Sequence, residues 1–231
     1  HESDYRCLVN IVNSLKKLKT EKEGASTLLK DVIKQLMRRD YIDANREYSN
    51  TTFQKSVKAH MARTGWKNAP IESLSEIILN YYTIQELIET FYSIYFEWED
   101  GVVSSLDLSE TGWNVTVWRR KYAEKIIDLS EIPGLRHLKK LKRLDLSNNK
   151  LSDVGGLVQF TELKELFLHN NRLVDPKNIE YLKSMPNLRY LDIKGNQIVK
   201  NIATNEFPRT KVVTSHGWSD GVELFRVHYT L

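Results

Sequence analysis

A chain of 231 residues and 27.0 kDa with 41% hydrophobic and 28% charged residues has the make-up of a globular protein, which excludes a disordered one. No apolar run approaches the roughly 20 residues that cross a bilayer, and Cys7, the single cysteine, excludes an intramolecular disulfide and a cysteine-based zinc site. The net charge of +4 would admit a nucleic-acid partner, but the basic stretches at 55–67 and 136–143 come with no zinc-finger, helix-turn-helix or RNA-binding aromatic motif, so solvated basic faces are expected and nucleic acid is not.

With one cysteine and no charged-then-apolar leader, a reducing, cytoplasmic setting is expected, in which the sequons at Asn50 and Asn114 stay unused. The chain opens on His1, not Met, so a fragment or a processed form is expected.

Residues 1–100 read as a helical region. Leu8, Ile11, Val12 and Leu15 recur at helical spacing, and so do Leu28, Leu29, Val32, Ile33 and Leu36, which predicts two amphipathic helices burying their stripes together. Periodicity weakens over 40–69. Pro70 then opens a strongly apolar stretch, Asn80 is expected to end that helix, and "TIQE" at Thr83 has capping-box form. A further helix is therefore predicted over 83–98, apolar on nearly all sides and covered by whatever follows it. "TGW" at Thr64 and Thr111 and "HGW" at His216 read as turns with buried indoles.

Residues 101–231 change period. An apolar pair returns in "LDLSE" at Leu106, "IDLSE" at Ile127, "LDLSN" at Leu144, "LFLHN" at Leu166 and "LDIKG" at Leu191. Recurrence at roughly 20 to 29 residues with the form LxxLxLxxNxL is the pattern of leucine-rich repeats. The physical reason is stacking. Alternate side chains of each short strand face opposite ways, so Leu144 and Leu146 point in while Arg143, Asp145 and Ser147 point out. One apolar side per coil cannot be buried alone, so coils pile up on each other. Asn149, Asn171 and Asn196 fall where an amide can bond the buried turn backbone of its own and neighbouring coils. "FPRTKVVTSHG", starting at Phe207, looks like the C-terminal cap of such an array, and "VELFRVHYTL" could add a last extended segment. The fold class expected is α+β: a helical region followed by a short leucine-rich solenoid, a right-handed α/β coil with parallel strands on its concave face.

The concave face would carry a central column of Asp107, Asp128, Asp145, Phe167 and Asp192. Arg143, Glu165 and Tyr190 flank it on one side, His169 and Lys194 on the other. An acidic spine repels itself unless Arg143 and Lys194 or a basic partner offset it. The functional reading is a groove for a basic peptide or protein surface, with Phe167 and Tyr190 as anchors; against it stands the ordinary occurrence of aspartate at this position. No phosphate loop, His-Glu-x-x-His or GxSxG elbow is present, so no catalytic, cofactor or metal residue is expected, and His169 beside Asp145 or Asp192 reads as a surface contact.

The repeats over 122–217 resemble the intracellular leucine-rich class that includes protein phosphatase regulatory subunits and acidic nuclear phosphoproteins. "ESDYRCLVNIVNSLKKL" and "LLKDVIKQLMRRDYIDANREYSN", with Tyr5, Cys7, Leu8, Asp40, Tyr41 and Tyr48, resemble the last helices of the alpha subunit of Rab geranylgeranyltransferase, and "KYAEKIIDLSEIPGLRHLKKLKRLDLSNNKL" resembles that subunit's entry into its leucine-rich repeats. That resemblance implies a non-catalytic part of a protein-prenylating enzyme, partnered by a prenyltransferase beta subunit and a Rab escort protein. The alternative is a stand-alone adaptor or regulatory subunit that binds a protein on its concave face.

Overall fold

The computed structural model describes residues 10, 22–38, 41–42, 47–48, 51–67, 69–91, 94–109, 125–202 and 206–215. The predicted helix of Leu8 to Leu15, the Thr111 and His216 turns, both sequons and the last extended segment lie outside the described residues.

Helix α1 (Lys22–Leu36) buries Ala25, Leu29, Ile33 and Leu36, a stripe at three- and four-residue steps. Leu28, expected in that stripe, faces out at 52% exposure because it sits one residue, about 100° of helical turn, from Leu29. Two-residue strands β1 (Tyr41–Ile42) and β2 (Glu47–Tyr48) pair antiparallel. They lead into α2 (Thr51–Thr64), a helix in the stretch of weak periodicity. Its stripe is narrow, with Phe53, Val57 and Met61 buried among polar and basic neighbours, which is why the pattern is faint.

Helix α3 (Ile71–Thr90) starts after Pro70 and runs straight through Asn80 and Thr83, so neither the expected stop nor the expected capping box forms. The reason is tertiary. Asn80 is fully buried, and its Nδ2 donates back to the Glu76 carbonyl (2.9 Å) while its Oδ1 accepts from the Val103 amide (2.9 Å). An asparagine that satisfies itself in this way need not break a helix. Thr83 is buried in the helix interior.

The predicted helix over 83–98 is likewise corrected. Beyond Thr90 the chain forms β3 (Tyr95–Glu99), which turns at Asp100 and Gly101 into β4 (Val102–Asp107) as an antiparallel hairpin. Both turn residues have positive φ, 56° and 80°, as a two-residue Asp-Gly hairpin turn requires. Gly101 is held from two sides. Its amide donates to Ser56 Oγ on α2 (2.7 Å), and an added Cβ would lie 2.9 Å from the Ile77 side chain of α3. Gly101→Ala is therefore expected to cost about 2 kcal/mol, from left-handed backbone strain plus crowding, read as a lower midpoint in urea unfolding with unchanged slope.

One six-stranded sheet, in the order β3-β4-β5-β6-β7-β8, follows, with β5 (Arg143–Asp145), β6 (Glu165–Phe167), β7 (Tyr190–Asp192) and β8 (Lys211–Val213) all parallel to β4. In register, Leu106, Leu144, Leu166, Leu191 and Val212 stand side by side, and the four leucines are sealed from solvent. The return path of each coil is a 3₁₀ turn, or in one coil the short helix α4 (Lys177–Lys183). The predicted cap supplies β8, with Phe207 in the core.

The spacing of the first repeats is corrected too. Leu106 pairs directly with Leu144, so the phrases at Leu106 and Ile127 are not two coils but one long one. Residues Ile126 and Ile127 are not a strand. The Ile126 amide donates to Asn149 Oδ1 (3.0 Å) and its carbonyl accepts from Lys150 (2.9 Å), which are the bonds that Leu151 makes to Asn171 and Arg172 one coil later. Ile126 thus matches Leu151, the leucine after the asparagine turn, and Ile127 points out at 47% exposure.

The asparagines behave as their spacing suggests. Asn171 Nδ2 donates to the carbonyls of Leu146 and Leu168 (2.9 Å each), and Asn196 Nδ2 donates to Leu168 (2.8 Å) and Ile193 (3.1 Å). Asn178 forms a second such link between coils, to Val154 and Ser152, which the repeat phrase does not reveal.

The helical part closes the open end of the solenoid. Alpha-helix α3 packs on β4 and on the turn Leu135–His137, and Asn80 Nδ2 reaches the His137 carbonyl (3.3 Å). One continuous apolar cluster runs from Leu29 to Phe207.

Candidate protein-interaction face

The side of the sheet opposite the leucines is built from three rows of outward positions. Arg143, Glu165, Tyr190 and Lys211 stand next to one another across the strands, and so do Asp107, Asp145, Phe167, Asp192 and Val213. Ser147, His169 and Lys194 follow two residues beyond the second row. Nine of the ten predicted face residues therefore share one surface. Asp128 does not, and this is a correction. It precedes the 3₁₀ turn Leu129–Glu131, caps it by accepting from the Ser130 amide (2.7 Å), and borders a hollow of about 780 Å³ beside Glu86 and Thr90 of α3. The three-residue turn between Ile126 and Ile132 is what carries it off the sheet.

The central column is less exposed than its outward direction suggests. Asp145 is 8% exposed, Phe167 6% and Asp192 3%. Each aspartate is bent onto its own chain, because Oδ1 of Asp107, Asp145 and Asp192 accepts from the amide two residues on. These are Asx turns that end the strands, so the repeated aspartate has a structural use before any ligand is considered.

Phe167 is sandwiched. The Arg143 guanidinium lies 4.1 Å from its ring centroid and the Tyr190 ring 5.2 Å from it at 39°. Arg143 also donates to Glu165 (2.8 Å), so it serves the aromatic and Glu165, not the aspartates it was expected to offset. What faces solvent is the rim of this cluster, from the half-buried Tyr190 and Arg143.

The acids divide into a compensated and an uncompensated group. Asp192 Oδ2 has Lys194 Nζ at 3.2 Å and His169 Nδ1 at 3.2 Å, the imidazole at ion-pair distance without the alignment of a good hydrogen bond. Burial works against the Asp192 charge, yet His169 and Lys194 together outweigh it and hold its carboxyl below the usual range. Asp145 forms no ion pair among the described residues, and the His169 charge is the smallest of the influences on it. Burial first, and the Asp107 charge second, push its carboxyl above the ordinary 3.8, against the opposing bonds from Ser147.

These shifts have opposite signs in stability. The Asp192 contribution is present above the unfolded-state pKa and is lost as pH falls through the depressed folded one. Asp145 penalises folding once ionised, so the penalty is absent below its unfolded pKa and grows as pH rises through the raised folded one. Asp145→Asn, which keeps an Oδ1 acceptor for Ser147, is expected to be at least as stable as the parent at pH 7, with the advantage gone in acid. Asp145→Ala loses both Ser147 bonds (2.9 and 2.6 Å) and is expected to cost about 1–2 kcal/mol by denaturant unfolding.

Tyr95 was missed by sequence reasoning. It pairs with Asp107 across the hairpin and is 66% exposed, which places an aromatic ring beside the uncompensated acids. The alternation of Tyr95, Glu97 and Glu99 with Phe96 and Trp98 ahead of Asp100-Gly101 was the available signal.

Among the described residues no group of His, Cys, Asp and Glu gathers as a metal ion would need, and no helix is long and apolar enough to cross a membrane.

Comparison with known families matches residues 161–207 to the model "Leucine Rich repeats (2 copies)" and residues 137–158 to "Leucine Rich repeat". No curated protein matches. Two solved structures with some similarity are internalins of Listeria monocytogenes: InlF, at 24% identity and TM-score 0.32, covering 42% of this chain and 26% of that one, and internalin C2, at 26% identity and TM-score 0.31, covering 39% and 37%. The chain thus spans well under half the length of either. None of these matches supports the resemblance to Rab geranylgeranyltransferase. The repeated leucines, the asparagine links and the family matches agree on leucine-rich repeats over residues 137–158 and 161–207.

Proposed function

We propose that this protein is a binding module whose concave face, the outer side of β4 to β8, takes a basic segment of a partner protein. The observation that carries the reading is the pair Asp107 and Asp145, side by side in register with no ion pair on either among the described residues, between the exposed Tyr95 ring and the Arg143–Phe167–Tyr190 cluster. A lysine or arginine brought there would relieve the Asp107–Asp145 repulsion, and aromatic rims supply the contact area that interfaces favour. A cytoplasmic setting and a division after residue 100 into helical and repeat parts belong to the same proposal.

Panning a random peptide display library on the full chain tests it. Enriched peptides rich in Lys and Arg, whose binding drops about tenfold or more on Asp107→Asn/Asp145→Asn, are the expected result. Peptides without basic enrichment, or with equal affinity for the double variant, would sink the reading.

The narrower reading, a non-catalytic piece of a Rab geranylgeranyltransferase alpha subunit, rests on the quoted phrases with Tyr5, Cys7, Leu8, Asp40, Tyr41 and Tyr48. Failure to co-purify with a prenyltransferase beta subunit would remove it.

A further inference from the structure

Resting on the concave-face reading, we propose that the partner segment is charge-polarised: beside its basic part it carries an acidic one, which docks on Lys164, Arg189 and Lys211 at the far end of the same sheet. The sheet changes sign along its length. At the β3 to β5 end stand Glu97, Asp107 and Asp145, none of them in an ion pair among the described residues.

At the other end three cations stand in line. The Lys164 amide donates to the Lys142 carbonyl, the Arg189 amide to Lys164 and the Lys211 amide to Arg189, each at 2.8 Å, which sets them one strand apart where the strands begin. All three side chains are exposed. Lys142, the first of the row, is paired with Glu99 (2.5 Å), whereas the other three form no ion pair among the described residues. The Arg189 guanidinium donates to the carbonyls of Leu188 (3.0 Å) and Pro186 (3.4 Å), which hold it without neutralising it. The acids on the same strands are already matched, Glu165 by Arg143 and Asp192 by Lys194 and His169, so the charge left over at this end is positive.

That polarity selects a polypeptide. A nucleic-acid strand or an anionic bilayer spreads negative charge over the whole face and would be repelled by Glu97, Asp107 and Asp145. One short protein segment can carry both signs, and complementary potentials of this kind fix register and exclude wrong partners. Adjacent strands lie about 4.8 Å apart, so the acidic triplet, centred on β4, and the basic one, centred at β7, are roughly 14 Å apart. An extended chain advances about 3.4 Å per residue, so the partner's basic and acidic groups stand about four residues apart, with the residues between them over the Phe167 and Tyr190 rings.

The test is titration of the full chain, followed by fluorescence anisotropy, with peptides that bear an Arg pair and a Glu pair centred about four residues apart, in both chain directions, and with the same peptides carrying Gln in place of Glu. The better Glu peptide is expected to bind about tenfold or more tighter than its Gln counterpart. Arg189→Glu/Lys211→Glu should abolish that advantage, and Lys150→Glu/Arg172→Glu, an equal change of net charge among the asparagine turns, should preserve it. Unaltered melting of the variants shows that they fold. Equal affinity of the Glu and Gln peptides, an advantage that survives Arg189→Glu/Lys211→Glu, or binding of an all-Glu peptide or short duplex DNA as tight as that of the polarised peptide would overturn the proposal. In any of those cases the concave-face reading still stands if Asp107→Asn/Asp145→Asn weakens the Gln peptide, whereas no binding by any basic peptide removes both.

Discussion

Asn171→Ala is expected to lower the unfolding free energy by about 3 kcal/mol, which is a large share of a domain's margin. The side chain is buried and bridges two coils. Its Oδ1 is the acceptor for the Leu151 amide (3.0 Å), and its Nδ2 serves the Leu146 and Leu168 carbonyls. Alanine leaves the Leu151 amide with no acceptor in a place water does not reach, and that orphan donor is the main cost. The carbonyls fare better, because Leu146 also receives Asn149 (3.1 Å) and Leu168 also receives Asn196. This sharing predicts a specific non-additivity. Asn171→Ala with Asn196→Ala should cost more than the two single changes together, since only the double variant strips Leu168 of both donors. Urea unfolding of the four proteins in this cycle measures it, and strict additivity would mean that the asparagines act as separate pegs.

Asn80→Ala is expected to cost about 2–4 kcal/mol by leaving the Val103 amide without its acceptor inside the core. The effect should also be local in a telling way. Asn80 joins α3 to β4 and to the carbonyl of His137 on the return path of the same coil, so its loss loosens the seam between the helices and the repeats. Hydrogen exchange should accelerate at Val103 and along the buried face of α3 while Leu166 and Leu191, deeper in the array, stay protected. Uniform acceleration over the whole chain would show instead that the seam has no stability of its own.

Asn80 also illustrates how far reading along the chain can go. In isolation, asparagine before "TIQE" has the form of a helix end followed by a new start. Its bonds to Val103 and His137 come from 23 and 57 residues away, and no local pattern announces them. The hairpin at 95–107 failed for a different reason. Alternation and the Asp-Gly turn were present, but the apolar run before them continued a helical pattern without a break. The helix stops at Thr90 and the strand begins at Tyr95, so four residues decide between two periods.

On the candidate face, the identity and neighbourhood of nine residues were legible, because a parallel array with one leucine pair per coil leaves little freedom in which side chains face out. Their chemistry was not. Whether Arg143 pairs with an aspartate or lies on Phe167 depends on diagonal contacts between strands, and whether Asp145 or Asp192 holds its charge easily depends on which cations reach it.

The amino-acid sequence by itself determined the solenoid, since leucines and asparagines at a fixed period can be buried and satisfied only by stacking coils on one another. Only the tertiary structure decided where the array begins, how the helices close it and which face charges are left uncompensated. Those outcomes rest on contacts between segments far apart in the chain, where packing and burial override local preference.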